Sequence, residues 1–413
     1  MRIEMIATGD ELMSGLTRDG NFFWAGDALN SIGLEIALHT TVGDDRERIE
    51  EAFGAALGRA DAVIVSGGLG PTSDDLTAEV AARFFGAPLE LNKEGLQSVM
   101  DRLKAKGREL TEKNRKQAFL PGGSRVLANR WGTAPGFSMV RDRTVYYFLP
   151  GVPREFQALM TEYVIPDLDA RYKDRSPVRT KLVRTYGLPE SEVARMLDGV
   201  EREGVRLGYR SHFPEIHLRL TAYGDTDSEA ELRMSEMTAD IMDRLGGYVF
   251  STEGETLEEV IGKLLRERGM TLSTAESCTG GLIAHRITNV PGSSDYFLEG
   301  VVSYSNEAKM QILGVPKEAL EAHGAVSAPV VEAMARGVRG LSGSGIGVAV
   351  SGIAGPSGGT EEKPVGTVFI GLDHVERGVS SGKFLFYGTR EQIKLATSEK
   401  ALDMIRKILL NNV

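Results

Sequence analysis

Ser273-Thr274-Ala275-Glu276-Ser277-Cys278-Thr279-Gly280-Gly281 decides the reading of this chain. Met270–Thr274 before it is strand-like and Thr279–Ile287 is helical, so the stretch is a strand-to-helix junction with two glycines in its opening turn. Junctions of this kind belong to α/β folds, whose ligands gather at the carboxyl ends of the strands. A serine there lies among backbone N–H groups near the positive end of a helix dipole, where an oxyanion is favoured. Downstream, Tyr304-Ser305-Asn306-Glu307-Ala308-Lys309 spans a second such junction and adds a tyrosine and a lysine. A serine nucleophile needs a base, and lysine serves when burial and neighbours lower its pKa. No Gly-x-Ser-x-Gly elbow with downstream Asp and His is evident, so Ser-Lys hydrolysis fits better than Ser-His-Asp.

Ser277 is therefore the candidate nucleophile and Lys309 the candidate base, with Tyr304 placed to orient Lys309 or relay its proton. Cys278 is the rival nucleophile, since a helix N-terminus lowers a thiol pKa, but the motif holds no nearby His. Packing against the sheet is its bland alternative. The N–H groups of Cys278 and Thr279, with Gly280 beside them, are the expected oxyanion-hole donors. Glu276 could hold a substrate amide or ribose, or be an ordinary carboxylate. Ser351–Gly359 follows an apolar strand, and its Gly352 and Gly355 would let backbone amides approach an anion, with Arg390 as a further phosphate contact. Strand patterns at Gly300–Tyr304, Gly345–Ser351, Thr367–Asp373 and Gly378–Phe386 interleave with helices, ending in a helix from Arg390. Residues 254–413 thus read as one α/β sandwich.

The first 173 residues read as another. Arg2–Thr8, Leu34–Val42 and Asp61–Val65 are strand-like, while Asn21–Ser31, Asp45–Arg59 and Leu76–Phe85 are helical. Ser66-Gly67-Gly68-Leu69-Gly70-Pro71-Thr72 ends a buried strand and could cradle a phosphate, though it is not a P-loop. Asp10, Asp44, Asp74 and Asp75 follow strands or this loop; they offer oxygen ligands to a divalent metal, or in the case of Asp74 and Asp75 a helix cap. Between the sandwiches, residues 174–253 follow a βαββα order, a small α+β module bounded by turn-rich 174–177 and 252–255. Its Glu215, His217 and Arg219 share one strand face, expected to be solvated, and the nearby His212 is not expected to make a metal site.

The chain has 413 residues, enough for two or three domains, and 41% hydrophobic with 26% charged residues is a globular composition. A formal charge of −10 disfavours general nucleic-acid binding. Cys278 is the single cysteine, so no intrachain disulfide forms, which suits the cytosol. No Lys/Arg-led apolar run with a cleavage signal opens the sequence, and no apolar stretch approaches the ~20 residues of a membrane span. A soluble cytoplasmic protein is expected.

Thr274–Gly281, Tyr304–Lys309 and Ser351-Gly352-Ile353-Ala354-Gly355-Pro356 resemble the C-terminal domain of the competence/damage-inducible CinA family. The resemblance extends through Gly9-Asp10-Glu11-Leu12, Ser66–Asp75, Asn114-Arg115-Lys116-Gln117, Gly132-Thr133-Ala134-Pro135-Gly136 and Pro150-Gly151-Val152-Pro153-Arg154-Glu155, and so covers essentially the whole chain. It implies a nicotinamide-nucleotide amidase that converts nicotinamide mononucleotide to nicotinate mononucleotide and ammonia, uses the serine, and needs no cofactor. For the N-terminal half it implies a molybdopterin-binding fold with divalent-metal-dependent ADP-ribose pyrophosphatase activity. Gly67, Gly68, Gly70, Thr72, Asn114 and Glu155 would then contact the nucleotide diphosphate. The alternatives are a non-hydrolytic pterin or nucleotide module fused to the amidase, and a competence-related interaction protein. A homo-oligomer, a dimer, is the expected assembly, with small nucleotides rather than membrane or nucleic acid as partners.

Overall fold

A computed structural model describes residues 1–172 and 177–410. The chain is α/β and divides into two compact units, Met1–Thr180 with Tyr223–Glu231, and Lys181–Ala222 with Leu232–Val413. In the first, a six-stranded sheet runs in the order Ile36–Val42, Ile3–Thr8, Ala62–Ser66, Thr144–Leu149, Gly136–Arg141, Arg125–Leu127. The first four strands pair in parallel and the last two antiparallel. Every residue of Ile3–Thr8 and Ala62–Ser66 is buried because helices cover both faces of these central strands, which makes them mainly apolar; the buried Glu4 is the charged exception and accepts from Arg59 at 2.9 Å. Asp45 caps the Arg46–Leu57 helix through Glu47 and Arg48 N–H, and Asp19 caps Gly20–Ser31 through Phe22 N–H. Expected helices and strands here agree with the observed ones to within a residue or two.

The C-terminal five-stranded sheet has the order Phe297–Val302, Leu272–Glu276, Ile346–Gly352, Thr367–His374, Gly378–Leu385. Its first three strands are parallel, so Ser277 and Ser303 emerge together at the carboxyl ends of adjacent strands. The Leu257–Glu267 helix begins with a Thr256–Glu259 capping box and buries Leu257, Ile261 and Leu265 along one face. That face packs with Leu402 and Ile405 of the Arg390–Leu410 helix.

The middle module forms a four-stranded sheet, Val205–His212, Glu215–Tyr223, Val178–Tyr186, Val249–Ser251, with the Asp227–Leu245 helix. Most of the bounding turn at 174–177 lies outside the described residues. At 252–255 the chain does turn, with Ser251 Oγ accepting from the N–H groups of Glu253 and Glu255. Packing nevertheless continues across it: Tyr186 and Phe250 are buried in the same core as Leu257 and Ile405, and Arg406 donates to the Gly247 carbonyl at 2.7 Å. Burying Phe250 contributes about 2–3 kcal/mol. The strand face expected to be solvated is covered instead. Glu215 and His217 are buried, and Glu215 accepts two 2.9 Å bonds from Arg184 and one from His217. Alternation along Glu215–Tyr223 fixed which residues share a face, but not that another element would lie over it.

Candidate active site

Ser277 follows the last residue of the Leu272–Glu276 strand, and its N–H donates to the Val350 carbonyl of the neighbouring strand at 3.1 Å. The backbone then turns through Cys278, Thr279 and Gly280, with Gly280 N–H donating to the Ser277 carbonyl at 3.2 Å. Lys309, in the first turns of the Asn306–Leu313 helix, points back beneath this turn and is 1% exposed. Its Nζ lies 3.2 Å from Ser277 Oγ, 2.8 Å from the Ser303 carbonyl and 3.2 Å from the Tyr304 carbonyl. A neutral amine has two N–H donors and one lone pair. With the two carbonyls taking both donors, the lone pair faces the Ser277 hydroxyl, as a general base requires.

Burial pushes the Lys309 ammonium below the usual lysine range, the direction that makes a base of it. Cys278, adjacent to Ser277, is also buried, and burial pushes its thiol up to about 12. A thiol so protonated is a poor nucleophile and packs in the core with Ile283 and Val350. Among the described residues, the N–H groups of Cys278 and Thr279 meet no backbone acceptor; they face the Cys278 sulfur, a weak acceptor, and are the oxyanion-hole candidates beside Ser277.

Several expected contacts are different. Glu276 is buried, and its carboxylate accepts from the N–H groups of Gly281, Ile283 and Ala284 at 2.8–3.1 Å. It caps the Leu282–Thr288 helix, with both carboxylate oxygens engaged by backbone rather than turned to a substrate amide or ribose; the helix starts three residues later than its pattern suggests. The N–H groups of Gly281, Ile283 and Ala284 at the helix start are thus occupied, which leaves those of the preceding turn as the oxyanion-hole candidates. Tyr304 contributes its backbone carbonyl to Lys309, while its side chain, 64% exposed, accepts from Arg390 at 3.2 Å. Its phenol is therefore not a proton relay to Lys309. Gly352 sits within the antiparallel ladder opposite Val368, where a Cβ would lie 2.6 Å from the valine, so the glycine serves close strand packing rather than anion binding. Gly355 offers its carbonyl, not its amide, to Arg390 at 2.7 Å. Two features were missed: the Ser303 carbonyl, since backbone acceptors leave no trace in a sequence, and Lys394, whose Nζ lies 3.8 Å from a Cβ built on Gly280.

In the N-terminal unit, the Gly67–Thr72 loop follows the buried Ala62–Ser66 strand. A Cβ on Gly67 would lie 2.4 Å from the Thr8 carbonyl, so only glycine lets these two strand ends approach. Gly68 accepts from Thr77 N–H at 3.1 Å, and Gly70 lies against the Asp75 carboxylate. That carboxylate accepts from the Thr72 N–H and hydroxyl at 2.8 and 2.5 Å, which makes Asp75 a clamp on the loop rather than a metal ligand. The Thr72 hydroxyl and Lys116 hold the Asp74 carboxyl below its usual range. Asp10 and Asp44 do meet, each donating its N–H to the other's carboxylate at 3.1 Å. Burial and the charges of Asp10, Glu11 and Asp74 push the Asp44 carboxyl up. No group of three or more His, Cys, Asp or Glu among the described residues could hold a metal ion. The four aspartates are thus not a cage. The Asp10–Asp44 pair still suits a small hard cation that takes one or two carboxylates and completes its shell with phosphate and water.

Asn114 pairs with Thr111 at a helix start, and Glu155 anchors the Asn129–Gly132 turn through Asn129 at 2.7 Å. Neither contact reaches the loop. Lys116, donating to the Thr72 and Asp75 carbonyls, and Gln117, donating to the Leu69 carbonyl at 3.5 Å, do reach it, and Asn21 holds the strand end before it by donating to Ser66 Oγ and the Gly151 carbonyl. Lys116 lay inside the quoted Asn114–Gln117 motif; Asn21, in the first turn of a helix, gave no signal. No helix among the described residues is long and apolar enough to cross a membrane.

Family models match along the chain: "Probable molybdopterin binding domain" at residues 4–170, "Damage-inducible protein CinA KH domain" at 180–251 and "CinA C-terminal domain" at 254–409. A CinA-like protein of Geotalea uraniireducens is 44% identical over 413 residues, covering 100% of this chain and 98% of its own. Another from Geobacter sulfurreducens is 42% identical over 412 residues, 99% of this chain and 100% of its own. The solved structure of competence/damage inducible protein CihA from Agrobacterium tumefaciens is 42% identical, covers 37% of this chain and 93% of its own, and superposes with a TM-score of 0.36. With relatives of such identity matched from end to end, the chain belongs to the CinA family.

Proposed function

We propose that the C-terminal domain is a Ser-Lys amidase that deamidates nicotinamide mononucleotide. The observation that carries this is the Lys309 amine, buried and 3.2 Å from Ser277 Oγ, with two carbonyls accepting its N–H donors. Ser277 Oγ attacks the carboxamide carbon while Lys309 takes the hydroxyl proton. The carboxamide oxygen, now negative, is received by the N–H groups of Cys278 and Thr279. Lys309 passes the proton to the departing nitrogen, the C–N bond breaks, and ammonia leaves an ester on Ser277. Water, deprotonated by Lys309, attacks the ester; nicotinate mononucleotide leaves and the serine regains its proton. The resemblance names the substrate, and Arg390 beside the site suits its phosphate. Incubating the full chain with nicotinamide mononucleotide should release equal amounts of ammonia and nicotinate mononucleotide, with or without chelator. Release of nicotinamide instead would mean that the glycosidic bond is the target and the amidase reading is wrong.

For the N-terminal domain we propose binding and hydrolysis of the ADP-ribose diphosphate. Support comes from the Gly67–Thr72 loop with Lys116 across it, and from the Asp10–Asp44 pair, whose like charges a divalent cation would relieve. Asp10 and Asp44 would hold that cation, which supplies charge neutralisation at the diphosphate and a more acidic water. The Gly68, Leu69 and Gly70 amides and Lys116 would orient the diphosphate, while the Gly67 N–H is taken by the Leu149 carbonyl at 3.0 Å. AMP and ribose 5-phosphate formed from ADP-ribose only with added divalent cation is the expected result. Tight binding without turnover under every cation tried would make the domain a non-hydrolytic module.

A further inference from the structure

The Arg390–Leu410 helix treats its cations in two ways. Toward its end, Lys400, Arg406 and Lys407 all pair with Asp403. At its start, among the described residues, Arg390 donates only to the Gly355 carbonyl and the Tyr304 hydroxyl, both neutral. Lys394, one turn on and half-buried, lies against Gly280 in the nucleophile turn. Among the described residues neither Arg390 nor Lys394 meets a carboxylate, in a chain with 58 acidic and 48 basic residues. Like charges four residues apart on a helix repel, so leaving both unneutralised is unfavourable until an anion joins them. Both also reach the catalytic groups through short chains of contact. Arg390 holds Tyr304, whose carbonyl accepts from Lys309, and Lys394 abuts Gly280, whose N–H donates to Ser277.

We propose that Lys394 and Arg390 together clamp the phosphate of the amidase substrate, and that Lys394 makes the site prefer a nucleotide to the corresponding nucleoside. The clamp rests on the amidase reading for its substrate, though not for its affinity for an anion. Turnover of nicotinamide mononucleotide and of nicotinamide riboside by the full-length wild type, Lys394→Gln and Lys394→Arg tests it. Lys394→Gln should lower kcat/KM for the mononucleotide about 10- to 100-fold, through KM, leave the riboside unchanged, and be largely rescued by Lys394→Arg. Equal losses on both substrates, or an unchanged KM for the mononucleotide, would overturn it. If the wild type deamidates neither compound, the amidase reading fails. The clamp is then judged by calorimetric titration of inorganic phosphate: weaker binding to Lys394→Gln than to wild type upholds it, and equal or undetectable binding to both refutes it.

Discussion

The Ser277 turn and the Gly67–Thr72 loop are built alike, and their differences explain their chemistry. Each follows a buried strand of a parallel region and leads toward a helix, and each has a carboxylate that accepts from nearby backbone, three N–H groups for Glu276 and the Thr72 N–H for Asp75. In the C-terminal turn that carboxylate is Glu276, one residue before the nucleophile and buried below it, so the turn is held from underneath and Ser277 stays open. In the N-terminal loop it is Asp75, beyond the loop, folded back over Thr72 and Gly70. What reaches each turn from elsewhere also differs. A buried lysine arrives at Ser277, whereas an exposed Lys116 arrives at Thr72 and the Asp10–Asp44 pair comes within charge range of Asp74. On the reading proposed here, one place makes a nucleophile and the other takes a phosphate and a cation. Strand-to-helix geometry supplies the place, and the neighbouring element decides the reaction.

The sharpest way to break this comparison is to remove the pair that distinguishes the C-terminal turn. Ser277→Ala and Lys309→Ala should each lower kcat at least ~10³-fold, with the double variant little worse than either single one, because the two act as a unit. Lys309→Arg should not restore activity, since a guanidinium stays protonated. In the wild type, kcat/KM should rise with pH through the depressed Lys309 pKa, because only the neutral amine accepts the serine proton. The unfolded lysine binds a proton that the folded one lacks between the two pKa values, so across that window this residue's contribution to stability also increases as pH rises. A flat pH–rate profile below the usual lysine pKa would remove Lys309 as the base.

Glu276→Ala gives an intermediate effect and tests whether the carboxylate is a cap or a substrate contact. Losing three charge-assisted bonds in a buried position should lower unfolding free energy by about 2–3 kcal/mol, read by urea denaturation. A raised KM with unchanged stability would return Glu276 to the substrate. Asp75→Ala, its counterpart, should cost about 1 kcal/mol and leave deamidation untouched. Cys278→Ser should do least. With its thiol held protonated by burial, the residue only packs, and activity should stay within about threefold of wild type.

Most of the architecture was legible because buried parallel strands write themselves as apolar runs, and caps such as Asp45 and Thr256 mark where helices begin. Ser277 and Lys309 were legible from motif and resemblance. Three kinds of feature were not. Main-chain acceptors such as the Ser303 and Tyr304 carbonyls have no residue-type signature. The direction of a side chain is also invisible: Tyr304 does meet Lys309, but through its carbonyl while its phenol turns to Arg390, and the role of Glu276 stayed open. Tertiary cover is the third: nothing in Glu215-Ile216-His217 says that Arg184 will meet it in the interior.

The central claim is that Ser277 forms the covalent intermediate. Acid-quenching the full-length enzyme during turnover of nicotinamide mononucleotide, then measuring intact mass and mapping the modified peptide, tests it most directly. An adduct of the nicotinate mononucleotide acyl group on Ser277, absent from Ser277→Ala and still formed by Cys278→Ser, is the predicted result. An adduct on Cys278, or full turnover by Ser277→Ala, would contradict it.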